Sequence, residues 1–313
     1  MNLLELVRRH PNRPSSSVPD WMLGYFKRRA ISFANGRTDT ATQVCWLQSR
    51  NFTIDLRLPL ERDQVPARAL ADYSPDELQI LANHEGWEAL SHWDGKALSW
   101  SDDTSLQLHN RWPEPALLSR IGNCMIEFAP SGAYVEDWRL QPSAPGPLIG
   151  LRLIEERDLA SGALLHRGGG LIVCGEHAAL VLGRPGPIAH DGLDLRDQVA
   201  RAVGVPERLE ALFDFETSVA HGSLEAGFRV TLSTRPERVG APLLALEGFS
   251  YLAEQQQVRQ RFERDGRDCE RLFSIDTLEP TLAYPQTTEF SADAHAWFER
   301  ESATLNRYTQ SLI

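Results

Sequence analysis

Shifted along itself by 126 residues, the chain meets itself without a gap at Gly24 and Gly150, Ala34 and Ala160, Gly36 and Gly162, Leu56 and Leu182, Pro59 and Pro185, Leu117 and Leu243, Leu118 and Leu244, and Gly122 and Gly248. At the same offset Trp87 falls on Phe213, the pair Asp94-Gly95 lies one place from His221-Gly222, and the helical stretch after Ser74 overlays residues 200–210. A repeat of this length constrains the fold more than any local motif, because each copy must carry the same order of elements. We read unit one as residues 21–146 and unit two as 147–272. Residues 1–20 precede them as a short helix and linker, and 273–313 follow as an extension.

Within unit one the signals are mostly those of strands. Residues 44–48 and 52–58 flank Ser49-Arg50-Asn51, and the second run alternates: Phe52, Ile54, Leu56 and Leu58 on one face, Thr53, Asp55 and Arg57 on the other. That pattern predicts a half-buried hairpin with Asp55 and Arg57 exposed. Residues 87–93 and 96–101 are joined by Asp94-Gly95, a type I′ turn signal. A third hairpin, 124–128 with 134–140, encloses Ala129-Pro130-Ser131-Gly132. One helix interrupts the strands, announced by the cap sequence Ser74-Pro75-Asp76-Glu77 and stopped near Gly86. Unit two repeats the order with strands near 148–157, 171–175, 178–183, 213–219, 228–233, 243–254 and 258–264.

A strand-rich unit of this size can close on itself and leave no unpaired edge. The expected fold is therefore mainly β, with two tandem antiparallel barrels, short helices and a C-terminal helix over 292–311. That helix is marked by Trp297, Phe298, Leu305, Tyr308 and Leu312 after Ser291 and Asp293. Residues 1–9 suit a short amphipathic helix, and the Pro/Ser-rich segment 10–19 reads as a linker.

The opening of unit one, Asp20-Trp21-Met22-Leu23-Gly24-Tyr25-Phe26, resembles the start of a lipocalin-type barrel, in which a glycine and an aromatic two residues later begin the first strand. Here Phe26 stands where that family usually has Trp, and unit two has Gly150-x-Arg152. The stretch from Trp46-Leu47-Gln48 through Asp55-Leu56-Arg57-Leu58-Pro59 also resembles uncharacterised bacterial proteins with paired calycin-like barrels. The resemblance implies small barrels able to enclose an apolar ligand and carries over no catalytic residue.

Composition narrows the function classes. Among 313 residues, 43 acidic against 32 basic give a net charge of −11, which repels a phosphate backbone, so no nucleic-acid partner is expected. No apolar run approaches the roughly 20 residues of a membrane helix, and the first residues lack a signal-peptide core; no membrane association and a cytoplasmic location are the expectations. Cys45, Cys124, Cys174 and Cys269 are too widely spaced for a metal knuckle and read as small core residues. His84-Glu85 lacks a second histidine at zincin spacing, and G-x-S-x-G does not occur. Gly168-Gly169-Gly170 precedes a strand and reads as a turn, and Lys27-Arg28-Arg29 as a solvated strand face. No metal, cofactor or catalytic residue is assigned.

The binding signal lies in unit one. Tyr134, Glu136 and Trp138 share one strand face, and which face points inward decides their role. If they point in, a carboxylate sits between aromatics in a medium that raises its affinity for a proton. Trp21, Trp46, Trp87, Trp93, Trp100, Trp112 and Trp138 all precede residue 147, Trp297 lies in the tail, and unit two has none. The leading reading is a binder of a small, largely apolar molecule, with Trp46, Trp87, Tyr134, Glu136 and Trp138 as lining residues. The alternatives are a structural or interaction module with filled barrels, self-associating through its C-terminal helix, and an enzyme in which Glu136 moves a proton with His92 or Arg139.

Overall fold

The alternation that divides residues 52–58 into an apolar and a polar face governs the architecture, because both faces are buried. A computed structural model of the chain describes residues 1–284 other than 112 and 190, together with 296, 297 and 299–304. After the N-terminal helix α1 (Leu3–Arg9) come β1 (Gly24–Phe33), β2 (Thr38–Asp39), β3 (Gln43–Gln48), β4 (Phe52–Leu58), helix α2 (Pro75–Ala82), β5 (Glu85–Trp93), β6 (Ala97–Ser105), β7 (Ala116–Ile121), β8 (Cys124–Phe128) and β9 (Tyr134–Leu140). From β3 to β9 each strand pairs antiparallel with the next, and β1 pairs with both β3 and β9. Eight strands thus close into a barrel, with β2 added beside the end of β1.

The second sheet comprises β10 (Gly146–Asp158), β11 (Leu164–Arg167), β12 (Gly169–Cys174), β13 (His177–Leu182), β14 (Glu216–Ser223), β15 (Gly227–Ser233), β16 (Phe249–Leu252), β17 (Gln257–Arg264) and β18 (Arg267–Leu282). Helices α3 (Leu195–Ala202) and α4 (Pro206–Phe213) are inserted after β13. Its order, β15-β14-β13-β12-β10-β18-β17-β16 with β11 on β10, follows that of the barrel. β12 occupies the residues that the 126-residue offset assigns to it from β3, and β18 continues past the expected boundary at 272 to Leu282.

One pairing of the barrel has no counterpart in this sheet among the described residues: β15 does not meet β16, so the expected second barrel is an open sheet. Residues 240–243 bond the edge of β15, and the N-terminus bonds the chain on the β16 side of the opening. Leu3 N–H donates to Leu246 O at 2.8 Å and Phe249 N–H to Met1 O at 2.9 Å, while Leu3, Leu6 and Val7 of α1 are buried with Ile149, Leu171, Leu180, Phe228, Phe249 and Phe273. Asn2 and Glu5 form the capping box that starts α1. The segment expected as a linker is pinned as well, through Asn12 to Leu278 and Ser17 to Arg50.

The two units share a core. Cys45, Leu47, Ile54 and Leu56 on the outside of the barrel pack with Ile172, Cys174, Ala179, Val181 and Val219 of the second sheet, whose alternate residues fill its own concave side. Gly86 on β5 lies so close to this interface that a Cβ there would stand 2.6 Å from Thr217 Oγ1.

Several local expectations change. α2 has its capping box at Ser74 but ends at Ala82, and Gly86 belongs to β5. The Asp94-Gly95 turn has positive φ only at Gly95, with Asp94 Oδ1 accepting from Lys96 N–H and Ala97 N–H in place of a type I′ turn. All four cysteines are free. The C-terminal helix expected over 292–311 falls largely outside the described residues, although Trp297 rests edge-on against Phe128 on the outside of β8 at 6.3 Å between centroids. Among the described residues no helix is long and apolar enough to cross a membrane.

Candidate functional site

Because the apolar outer face of β3, β4 and β5 is taken up by the second sheet, the polar face of β4 turns into the barrel. Asp55 and Arg57, expected in solvent, are buried there as a two-toothed ion pair, with Arg57 Nε 2.9 Å from Asp55 Oδ1. Cross-strand register sets their neighbours: Asp55 lies opposite Trp46 on β3 and Trp87 on β5, and Arg57 opposite Glu85. Trp46, Trp87, Tyr134, Glu136 and Trp138, the five residues proposed from sequence, all line one cavity of about 80 Å³ inside the barrel. Trp112 lies outside the described residues.

The indoles form an edge-to-face wall. Trp46 and Trp138 are 5.3 Å apart between centroids, Trp87 and Trp100 5.7 Å, and Trp46 and Trp100 6.4 Å, with planes inclined by 71–78°. Opposite them sit the buried carboxyls. Glu127 of β8 is the direct cross-strand partner of Glu136 on β9, placing two acids side by side. Glu136 is neutralised by Arg28, whose Nη1 lies 2.6 Å away; this side chain is 4% exposed, so the middle of Lys27-Arg28-Arg29 reaches into the barrel and is not solvated. Glu127 is held by uncharged donors, accepting from Trp138 Nε1–H at 3.0 Å and Tyr134 O–H at 3.4 Å. Among the described residues it has no ion-pair partner.

Burial, followed by the neighbouring Glu136 carboxyl, pushes Glu127 up to about 8, with Arg57 and the Trp138 N–H opposing only in part. Burial also raises Asp55, against the pull of Arg57. Glu127 is then a neutral acid at pH 7, and the deepest charges balance as Asp55 with Arg57 and Glu136 with Arg28. Of the buried polar atoms left unmet among the described residues, two belong to this lining: Gln107 Oε1, on a side chain whose amide donates to the carbonyls of Ala82 and His84, and Trp100 Nε1. Both residues line the cavity. Beyond the Arg57 and Glu85 cross-strand pair a second recess of about 210 Å³ adjoins it, lined also by Arg28 and Asp39.

The sequence reading missed Glu127, Asp55, Arg57 and Gln107 as lining residues. Glu127 had a signal, being a carboxyl between Ile126 and Phe128 in an otherwise apolar strand. The proposed helpers of Glu136 do not reach it: exposed His92 bonds Ser101 Oγ, and Arg139 pairs with Asp137 on the opposite face of β9. No protein-family model matches the chain, and neither does a curated protein or a solved structure.

Proposed function

We propose that the closed barrel is a receptor for one small molecule, in the manner of a calycin-like barrel, and that the second sheet is its scaffold. The observation that carries this reading is a cavity walled by four tryptophans and a carboxyl pair, with an unmet acceptor at Gln107 and an unmet donor at Trp100. Small-molecule sites combine an apolar wall with a few convergent polar groups of this kind. Buried Asp55, Glu127 and Glu136 make the preferred ligand a polar one, in place of the largely apolar molecule expected from sequence. The shared strand order and the 126-residue repeat support reading the second sheet as a diverged copy of the barrel, opened and filled by α1 and its own side chains.

Tryptophan fluorescence of the full chain, titrated with a panel of fatty acids, tetrapyrroles, aromatic metabolites, alcohols and amines, tests the proposal. A saturable response abolished by Trp138→Phe or Trp46→Phe is expected. The absence of any saturable response across the panel rejects the receptor reading and favours a purely structural role.

A further inference from the structure

The charge bookkeeping inside the barrel points to a ligand class, and this step rests on the receptor reading above. Two of the three deepest carboxylates have guanidinium partners, Asp55 with Arg57 and Glu136 with Arg28. Glu127 takes hydrogen bonds from the neutral donors Trp138 and Tyr134, lies directly across from Glu136 and shares a side-chain hydrogen bond with it, and meets Arg57 as a neighbouring charge that Asp55 already engages. Toward the open end, Arg111 pairs with Glu85 at 3.1 Å, leaving Asp103 and Glu114 to add negative charge. Six acids thus line the cavity against two arginines, both of them already engaged. A cavity lined by more carboxyls than guanidiniums, and walled by indoles, favours a cation, because an ammonium ion is drawn to tryptophan faces as well as to carboxylates. Gln107 Oε1, buried and without a partner, is a further acceptor for its N–H groups. The described residues contain no group of three His, Cys, Asp or Glu side chains placed to hold a metal ion, so the acceptors suit an organic cation better than a metal.

We infer that the ligand is a small organic ammonium ion, seated between the Glu127 and Glu136 carboxyls and the indoles of Trp46, Trp100 and Trp138. Its arrival replaces the proton on Glu127, which leaves to solvent, so the total charge of the cavity is unchanged by binding. The titratable and charged groups acting on Glu127 are Tyr134 and Glu136 on β9 and Arg57 on β4, and Asp55 on β4, Glu85 on β5, Asp103 on β6, Arg111 and Glu114 share the lining with it. His109, at the open end, is the one lining residue with an imidazole, and it is exposed.

The test compares isobutylammonium, isobutanol and isobutyrate, which share one shape and differ in charge, by tryptophan fluorescence and calorimetry on the full chain at pH 6, 7 and 8. The ammonium is expected to bind at least about tenfold more tightly than the alcohol, with no binding of the carboxylate. Its affinity should rise by up to about tenfold per pH unit from pH 6, with about one proton released at pH 6 to 7 as read in two buffers of different ionisation enthalpy. Glu127→Gln, checked for folding by circular dichroism, should lose about tenfold or more in ammonium affinity together with the pH slope. Equal or tighter binding of the alcohol or the carboxylate, or no ammonium binding at any pH, overturns the ammonium assignment while the wider panel decides the receptor reading separately. Ammonium binding without proton release, or full affinity in Glu127→Gln, overturns it too.

Discussion

Arg28 Nη1 lies 2.6 Å from Glu136 Oε1 across the β1–β9 seam, so the pair of strands that closes the barrel is also clamped by a buried ion pair. Arg28 reaches Asp39 as well, at 3.3 Å, tying the β2 hairpin to the same point. Removing one partner of such a pair strands the other charge in a dry interior, at a cost of about 3–5 kcal/mol. Arg28→Met and Glu136→Leu should each lower stability by that order in urea unfolding, and the double variant should be less destabilised than the sum. Additive losses would show that the seam does not depend on the pair.

Glu127 sets a pH dependence of a particular sign. Its folded-state affinity for the proton is raised to about 8, so the folded chain keeps a proton that the unfolded chain gives up near the ordinary carboxyl value. The associated stability is present at low pH and is lost as pH rises through the interval from about 4.5 to 8. Glu127→Gln, whose amide mimics the protonated acid, should flatten this decline and unfold at a higher urea concentration than the parent chain at pH 8. A parent chain whose Glu127-dependent stability rises over that interval would contradict the assignment.

His84 acts in the opposite direction. Burial holds its imidazole down to about 4, only slightly opposed by the Thr234 backbone. The folded chain therefore binds fewer protons than the unfolded one, and stability is present above about 6.5 and lost as pH falls toward 4. At 1.36 kcal/mol per pH unit, His84→Leu should outlast the parent by roughly 2 kcal/mol at pH 5 relative to the difference at pH 7.5. Parallel unfolding curves at the two pH values would rule this out.

Gly86 faces Thr217 and Thr234 where the units meet. A methyl group there must displace β-branched side chains of the facing sheet, and overpacking of this kind costs about 1–3 kcal/mol. Gly86→Ala should lower the denaturation midpoint accordingly, whereas Gly95→Ala, in an open turn with φ of +100°, tests backbone strain without crowding. Equal stability of Gly86→Ala and the parent would mean that the interface gives way freely.

How far the sequence foretold this arrangement depends on the level of description. Strand alternation located β3, β4, β8 and β9, and the face shared by Tyr134, Glu136 and Trp138 brought the right residues to one place. What alternation leaves open is which side of a strand is inside. Phe52, Ile54, Leu56 and Leu58 were natural candidates for a barrel interior, yet they serve the contact between units, and that contact is a long-range property of the second sheet. Once they point outward, Asp55 and Arg57 must point inward, and the cavity becomes polar. The opening between β15 and β16 was equally hidden, because residues 240–243 bond β15 while the segment that bonds its β16 side lies more than 200 positions away in sequence.

That last contact bears on the order of events at the ribosome. Met1 N–H bonds the carbonyl of Phe249, 248 positions away, so helix α1 cannot reach its resting place until the chain has been made beyond that residue. At about 5–20 residues per second that wait is on the order of 10–50 s. The closed barrel has all its partners long before then, which leaves the apolar face of α1, Leu3, Leu6 and Val7, uncovered and in need of protection during synthesis.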